Sequence, residues 1–114
     1  MVDKYIAEIC DVFSGDDLSV MIDLGIEGLH KRQRVRLHGV DTPNAIGMSP
    51  STEAGKVRAY VRKVCHGKRL VVTVISKNVS SWVCQVDVLG GGESLNLNDD
   101  LISKGYKFNR EKTV

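Results

Sequence analysis

The stretch that decides the fold runs from Leu18 to His38. It reads Leu18-Ser19-Val20-Met21-Ile22-Asp23-Leu24, then a Gly25 to Lys31 segment, then Arg32-Gln33-Arg34-Val35-Arg36-Leu37-His38. In the first block Leu18, Val20, Ile22 and Leu24 alternate with Ser19, Met21 and Asp23, the period-2 signature of a strand with one buried face. In the last block Val35 and Leu37 face one way, while Arg32, Arg34, Arg36 and His38 face the other. The glycine-containing segment between them is a loop. Two strands that each bury one face call for more strands, and the flanking sequence supplies them.

Upstream, Tyr5 to Phe13 is strand-like, with Ile6, Ile9, Val12 and Phe13 as its apolar content. Ser14, Gly15, Asp16 and Asp17 form a turn, since short polar residues and glycine tolerate a tight backbone. Downstream, a polar connection runs from Gly39 to Met48. A helix follows, with Ser49 as cap, Pro50 at its first position and Ala54, Val57, Val61 and Val64 as its apolar face. Gly67 suits the position just past its end. Arg69 to Ile75 is a β-branched run and reads as a fourth strand. Trp82, Cys84, Val86 and Val88 alternate with Val83, Gln85 and Asp87 and give a fifth. Gly90-Gly91-Gly92 turns the chain, and Asn98 caps a short helix through Lys104 to Gly105. The order β-β-β-α-β-β-α predicts a five-stranded OB barrel, whose helix bridges strands three and four. Closure also removes the exposed edges that five short strands would otherwise leave.

At 114 residues the chain is expected to form one domain, residues 1–114. Apolar content of 42% and charged content of 26% are those of an ordinary globular protein rather than a disordered one. No apolar run approaches the ~18 residues of a membrane span, so no membrane partner is expected. The start, Met1 to Phe13, lacks a charged segment leading into an apolar one, so the expected compartment is the cytoplasm. Cys10, Cys65 and Cys84 are widely spaced on apolar stretches and read as buried thiols. His30, His38 and His66 share no zinc-ligand spacing. A net charge of +2 is too small to imply a polyanion partner by itself, so where the charges lie matters more.

Residues 14–17 and 34–44 carry a specific resemblance. Ser14-Gly15-Asp16-Asp17 stands where the staphylococcal thermonuclease family has a D-G-D-T turn. Arg34-Val35-Arg36-Leu37-His38-Gly39-Val40-Asp41-Thr42-Pro43-Asn44 is similar to that family's R-x-R-L-x-G-[IV]-D-[TA]-P-E segment. Ile22-Asp23-Leu24-Gly25 looks like the second hairpin strand of phage- and plasmid-type members. Glu53-Ala54 and Glu93-Ser94-Leu95-Asn96 also sit where the family places similar residues. The resemblance spans nearly the whole chain and implies the same OB barrel. It also implies one weakly bound calcium ion held by Asp16, Asp41 and the Thr42 carbonyl, hard oxygen ligands of the kind calcium takes. Arg36 is the retained phosphate-contacting arginine.

The resemblance is incomplete on its catalytic side. The family glutamate that handles the attacking water is Asn44 here, and an amide has no anionic oxygen to take a proton. Aligning on Trp82 to Val88 puts Ser81 at the family's second arginine, with Ser80 and Val79 at the preceding glycine and tyrosine. A general base is worth roughly 10² to 10⁴ in rate, and an arginine at a phosphoryl group about 10³ to 10⁵. The implied domain is therefore a nuclease-like fold with impaired catalysis that binds nucleic acid, DNA or RNA and single-stranded by preference, through Arg32, Arg34, Arg36 and His38.

Two other readings stay open. An active calcium-dependent phosphodiesterase could draw its base from Glu53, Asp17 or Glu8, and its second cation from Arg34 or Arg58. A protein–protein interaction domain is the other, because this chain has few aromatics for base stacking: Tyr5, Phe13, Tyr60, Trp82, Tyr106 and Phe108. Asp16 and Asp41 can equally be ordinary turn residues, and an arginine face can be merely solvated.

Overall fold

A computed structural model describes residues 3–43, 49, 51–90 and 92–106. Among these residues six strands and two helices follow one another: β1 (Lys4–Ser14), β2 (Asp17–Asp23), β3 (His30–Leu37), α1 (Glu53–Cys65), β4 (Arg69–Lys77), β5 (Trp82–Gly90), β6 (Glu93–Asn96) and α2 (Leu97–Ser103). The sheet order is β3-β2-β1-β4-β5-β6, and a parallel pairing of β3 with β5 closes the first five strands into a barrel. This is the expected OB arrangement, with β6 added as an edge strand on β5. No described helix is long and apolar enough to cross a membrane.

The period-2 faces land where the alternation puts them. Leu18, Val20, Ile22, Val35 and Leu37 are buried, as are Val72, Trp82, Cys84, Val86 and Val88. Helix α1 closes the barrel with Ala54, Val57, Val61 and Cys65. Each fully buried valine is worth about 1.5–3 kcal/mol, so packing holds this helix more than its cap does. Arg58 Nε and Arg62 Nη2 donate to the Val12 carbonyl, at 2.8 and 3.4 Å, and fasten the helix to the end of β1.

Several local expectations are corrected. The α1 cap is Thr52, whose hydroxyl accepts from Gly55 N at 3.1 Å, and not Ser49. Ser49 instead shapes the preceding turn, its carbonyl accepting from the Thr52 hydroxyl at 2.7 Å. Pro50 lies outside the described residues. Gly67 does follow the helix end with φ +69°, a left-handed backbone that suits glycine. The second helix is capped by Asn96, which accepts from Asp99 N at 2.8 Å, rather than by Asn98. Asn98 is wholly buried. Its oxygen accepts from Val86 N, and its amide nitrogen donates to the carbonyls of His38 and Cys84.

Cys10 is exposed, whereas Cys65 and Cys84 are buried as expected. The register explains it. Ile9 pairs with Val20 and Asp11 with Ser19, so Cys10 is the extra residue of a bulge that a strict alternation does not foresee. Burial pushes the two interior thiols up, to about 11 at Cys65 and about 12 at Cys84, which keeps them protonated and unreactive.

Candidate functional site

The site starts at the β1–β2 turn, where four consecutive polar or small residues point inward. Ser14, Asp16 and Asp17 are buried at 5, 5 and 8% exposure. Gly15 has to be glycine here: a methyl group would overlap Val57 Cγ1 and come within 2.9 Å of Thr42 Cγ2. The turn is wedged between α1 and the segment after β3. The Asp16 carbonyl accepts from Leu37 N at 2.9 Å and pins the turn to the end of β3.

That geometry gathers Ser14, Asp16, Asp17, Arg34, Arg36, Asp41 and Thr42 around one open depression of about 390 Å³. Thr42, itself buried, donates its hydroxyl to Asp16 Oδ1 at 2.9 Å. Arg36 Nη2 reaches Asp16 Oδ2 at 3.4 Å. Burial raises the Asp16 pKa above its ordinary 3.8, against the opposing pull of the Thr42 hydrogen bond and the Arg36 charge. Asp41 is exposed, and its backbone N–H donates to the Tyr106 carbonyl at 2.9 Å, so the segment after α2 braces the Asp41 loop.

The arginine face is more committed than its sequence suggests. Arg34 grips Asp17 with two bonds, Nε to Oδ1 at 2.9 Å and Nη2 to Oδ2 at 2.6 Å. Its guanidinium also lies 4.9 Å from the centre of the Phe13 ring. The Asp17 hydrogen bonds raise the Arg34 pKa above its ordinary value, so the guanidinium stays charged. Arg32 Nε donates to the Ser19 hydroxyl at 3.0 Å. Because Ser19 pairs with Arg34 and Asp17 with Arg36, the bonds from Arg32 and Arg34 each run diagonally across the β2–β3 ladder. Arg36 completes the series with its longer reach to the turn.

The sequence-derived residues divide cleanly. Asp16, Asp41, Thr42, Arg34 and Arg36 meet at the depression. Arg32 lies further along the same strand face. His38 falls in the turn beyond β3, its N–H donating to the Cys84 carbonyl, and does not line the depression. Ser81 is buried immediately before β5 and is also absent from the lining, while Val79 two residues earlier is fully exposed. Asn44 lies outside the described residues, as does Phe108. Among the groups that the sequence offered as an alternative base or second cation, Asp17 is taken by Arg34, and Arg58 by the Val12 carbonyl. Glu53 accepts from the Tyr106 hydroxyl at 3.2 Å. Glu8 lines a different, smaller depression with Ile6, Met21 and Arg69. Sequence reading missed the grip of Asp17 on Arg34, which only the strand register reveals.

Among the described residues, no three or more histidine, cysteine, aspartate or glutamate side chains are grouped to hold a metal ion. The donors that do share the depression are carboxylates and a threonine, hard oxygens of the kind calcium takes. The lining also carries one more carboxylate than guanidinium, a local charge that a divalent cation would reverse. Asp16 and Asp41 would hold such an ion, with water completing a shell of about six to eight oxygens. No protein-family model matches the chain, and no curated protein matches it.

Proposed function

We propose that this barrel is a thermonuclease-like domain that holds the phosphate backbone of a nucleic acid, single-stranded by preference, and cuts it poorly or not at all. One observation carries the reading. Arg36, with its side chain 55% exposed and, among the described residues, one 3.4 Å contact, stands beside Asp16, Asp41 and Thr42 on a single depression, and among those residues no second free guanidinium lines it. A phosphate there meets one arginine able to reorient toward it and an acidic pocket suited to a weakly held calcium ion. What is lacking is chemistry: a serine at position 81 and an amide at position 44 supply neither a second cation nor a base.

The test is titration of a fluorescent single-stranded oligonucleotide at two salt concentrations, with and without calcium. Binding is expected at low salt and must weaken as salt rises, because phosphate contacts release counterions. Arg36→Ala is expected to lower affinity about tenfold, the worth of one charge-assisted hydrogen bond. No binding at low salt overturns the reading. So does calcium-dependent cleavage that Asp41→Ala abolishes, which would favour the active phosphodiesterase. A protein-interaction role is the second reading. It is favoured by the β2–β3 loop, where Leu24, Ile26 and Leu29 are 41, 61 and 47% exposed.

A further inference from the structure

The three arginines of β3 are equivalent in sequence pattern and unequal in their surroundings. Among the described residues Arg32 has a neutral partner, the Ser19 hydroxyl, on Nε alone, which leaves both terminal nitrogens and the full charge available. Arg36 has, among the same residues, a single long contact to Asp16. Arg34 is held on one edge by both oxygens of Asp17 and on one face by Phe13. Asp17 is itself fixed: its side chain is 11% exposed and its backbone is paired with Arg36 in the ladder. A guanidinium gripped this way offers a phosphate only its remaining terminal nitrogen, and its charge is already answered.

We infer that Asp17 withholds Arg34 from phosphate, so that the nucleic-acid backbone is read by Arg36 and Arg32 and the affinity of the site is set low by this one carboxylate. The inference rests on the phosphate-binding reading above and adds its regulation. Arg32 and Arg36 are four residues apart on one strand face, about 13 Å at 3.3 Å per residue, and Arg34 lies between them. A backbone crossing from one to the other passes over the neutralised pair. Removing the Asp17 charge would turn two separated contacts into a continuous row of three.

The experiment is a salt-dependent titration of a fluorescent single-stranded oligonucleotide with wild type, Asp17→Asn, Arg34→Gln and the double variant. Asp17→Asn keeps the side-chain shape and is expected to tighten binding about tenfold at low salt. It is also expected to steepen the slope of log affinity against log salt by about 0.7, one added phosphate contact on a single strand. Arg34→Gln alone uncovers the Asp17 charge and is expected to weaken binding, whereas the double variant, which removes both charges, is expected to bind like the wild type. Should Asp17→Asn fold poorly, Asp17→Thr offers a strand-forming residue, and its combination with Arg34→Gln still reads the inequality.

Unchanged or weaker binding by folded Asp17→Asn overturns the inference. So does a double variant that loses as much affinity as Arg36→Ala, which would mean that Arg34 already contacts phosphate. In both cases the wild type still binds, and the phosphate reading stands. Absence of binding by all four proteins overturns the phosphate reading and this inference together.

Discussion

The two ends of β2 invert the usual rule about turns. At its start the β1–β2 turn buries Ser14, Gly15, Asp16 and Asp17, while at its far end the β2–β3 loop exposes Leu24, Ile26 and Leu29. Buried polar groups cost free energy unless they are paired. In the first turn Thr42, Arg36 and Arg34 pair both carboxylates, and the Leu37 N–H takes up the Asp16 carbonyl. In the loop the backbone closes on itself instead, Leu24 N to the Leu29 carbonyl and Leu29 N to the Ile26 carbonyl. The Asp23 carboxylate at the end of β2 adds one bond, accepting from Gly25 N at 2.8 Å, and the apolar side chains add none. One turn is a fitted part of the barrel that presents charges; the other is a backbone link with apolar side chains left over.

Glycine substitutions break this contrast most sharply. Gly15→Ala forces a methyl group against Val57 Cγ1 and the Thr42 side chain. Overpacking of this kind costs about 1–3 kcal/mol, and this site lies at the upper end because backbone fixes the turn from both sides. Gly25 and Gly28 have φ of +78° and +79° with nothing within 4 Å of a Cβ, so alanine there carries only the left-handed backbone cost, about 1 kcal/mol. Urea unfolding of the three variants checks the order. Adding Val57→Ala to Gly15→Ala should recover part of the loss if the clash is its cause. If Gly15→Ala costs no more than Gly28→Ala, the buried turn is not the fitted element described here.

The sequence made the barrel legible and the pairing within it only partly so. Alternation in β2, β3 and β5 located the core because a half-buried strand has no other way to sort its side chains. The gathering of Asp16, Arg36, Asp41 and Thr42 was legible through the motif that spans them. The Asp17–Arg34 grip was not, because it is diagonal and needs the register. Cys10 came out exposed because a bulge adds one residue that periodicity does not count. Strand β6 is four residues, too short to carry a pattern. Asn96 and Asn98 are equally able to cap a helix. What separates them is tertiary: Asn98 ties α2 to β5 and to the His38 carbonyl, which no local signal encodes.

A middle-sized effect tests whether the fitted turn is fitted for stability or for its charge. Burial holds the Asp16 carboxyl above its ordinary 3.8, so the folded chain binds that proton more readily than the unfolded chain does. The stability tied to this group is complete below 3.8 and is lost as pH rises through the raised value. Asp16→Asn removes the buried charge and still accepts from Thr42 through its amide oxygen. In buffer with a chelator it is expected to be more stable than the wild type at pH 7, by about 0.5 kcal/mol or more, with the difference shrinking toward pH 4. Thermal melts across that range check it. A variant less stable at every pH would mean that the Arg36 contact outweighs burial and that the turn is built for folding alone.

The smallest expected effect lies at the other end of β2. Ile26 is 61% exposed at the loop tip, and the hydrogen bonds that close the loop use backbone atoms of Leu24, Ile26 and Leu29. Ile26→Ser removes apolar surface that is already in water and touches no bond of the link, so the stability change should stay within about 0.5 kcal/mol. Denaturant midpoints at low protein concentration measure it, since a midpoint that moves with concentration reports association rather than folding. A loss above about 1 kcal/mol in the dilute protein would mean that the tip packs against the chain in solution. The two turns would then differ in polarity alone, and not in whether their side chains belong to the fold.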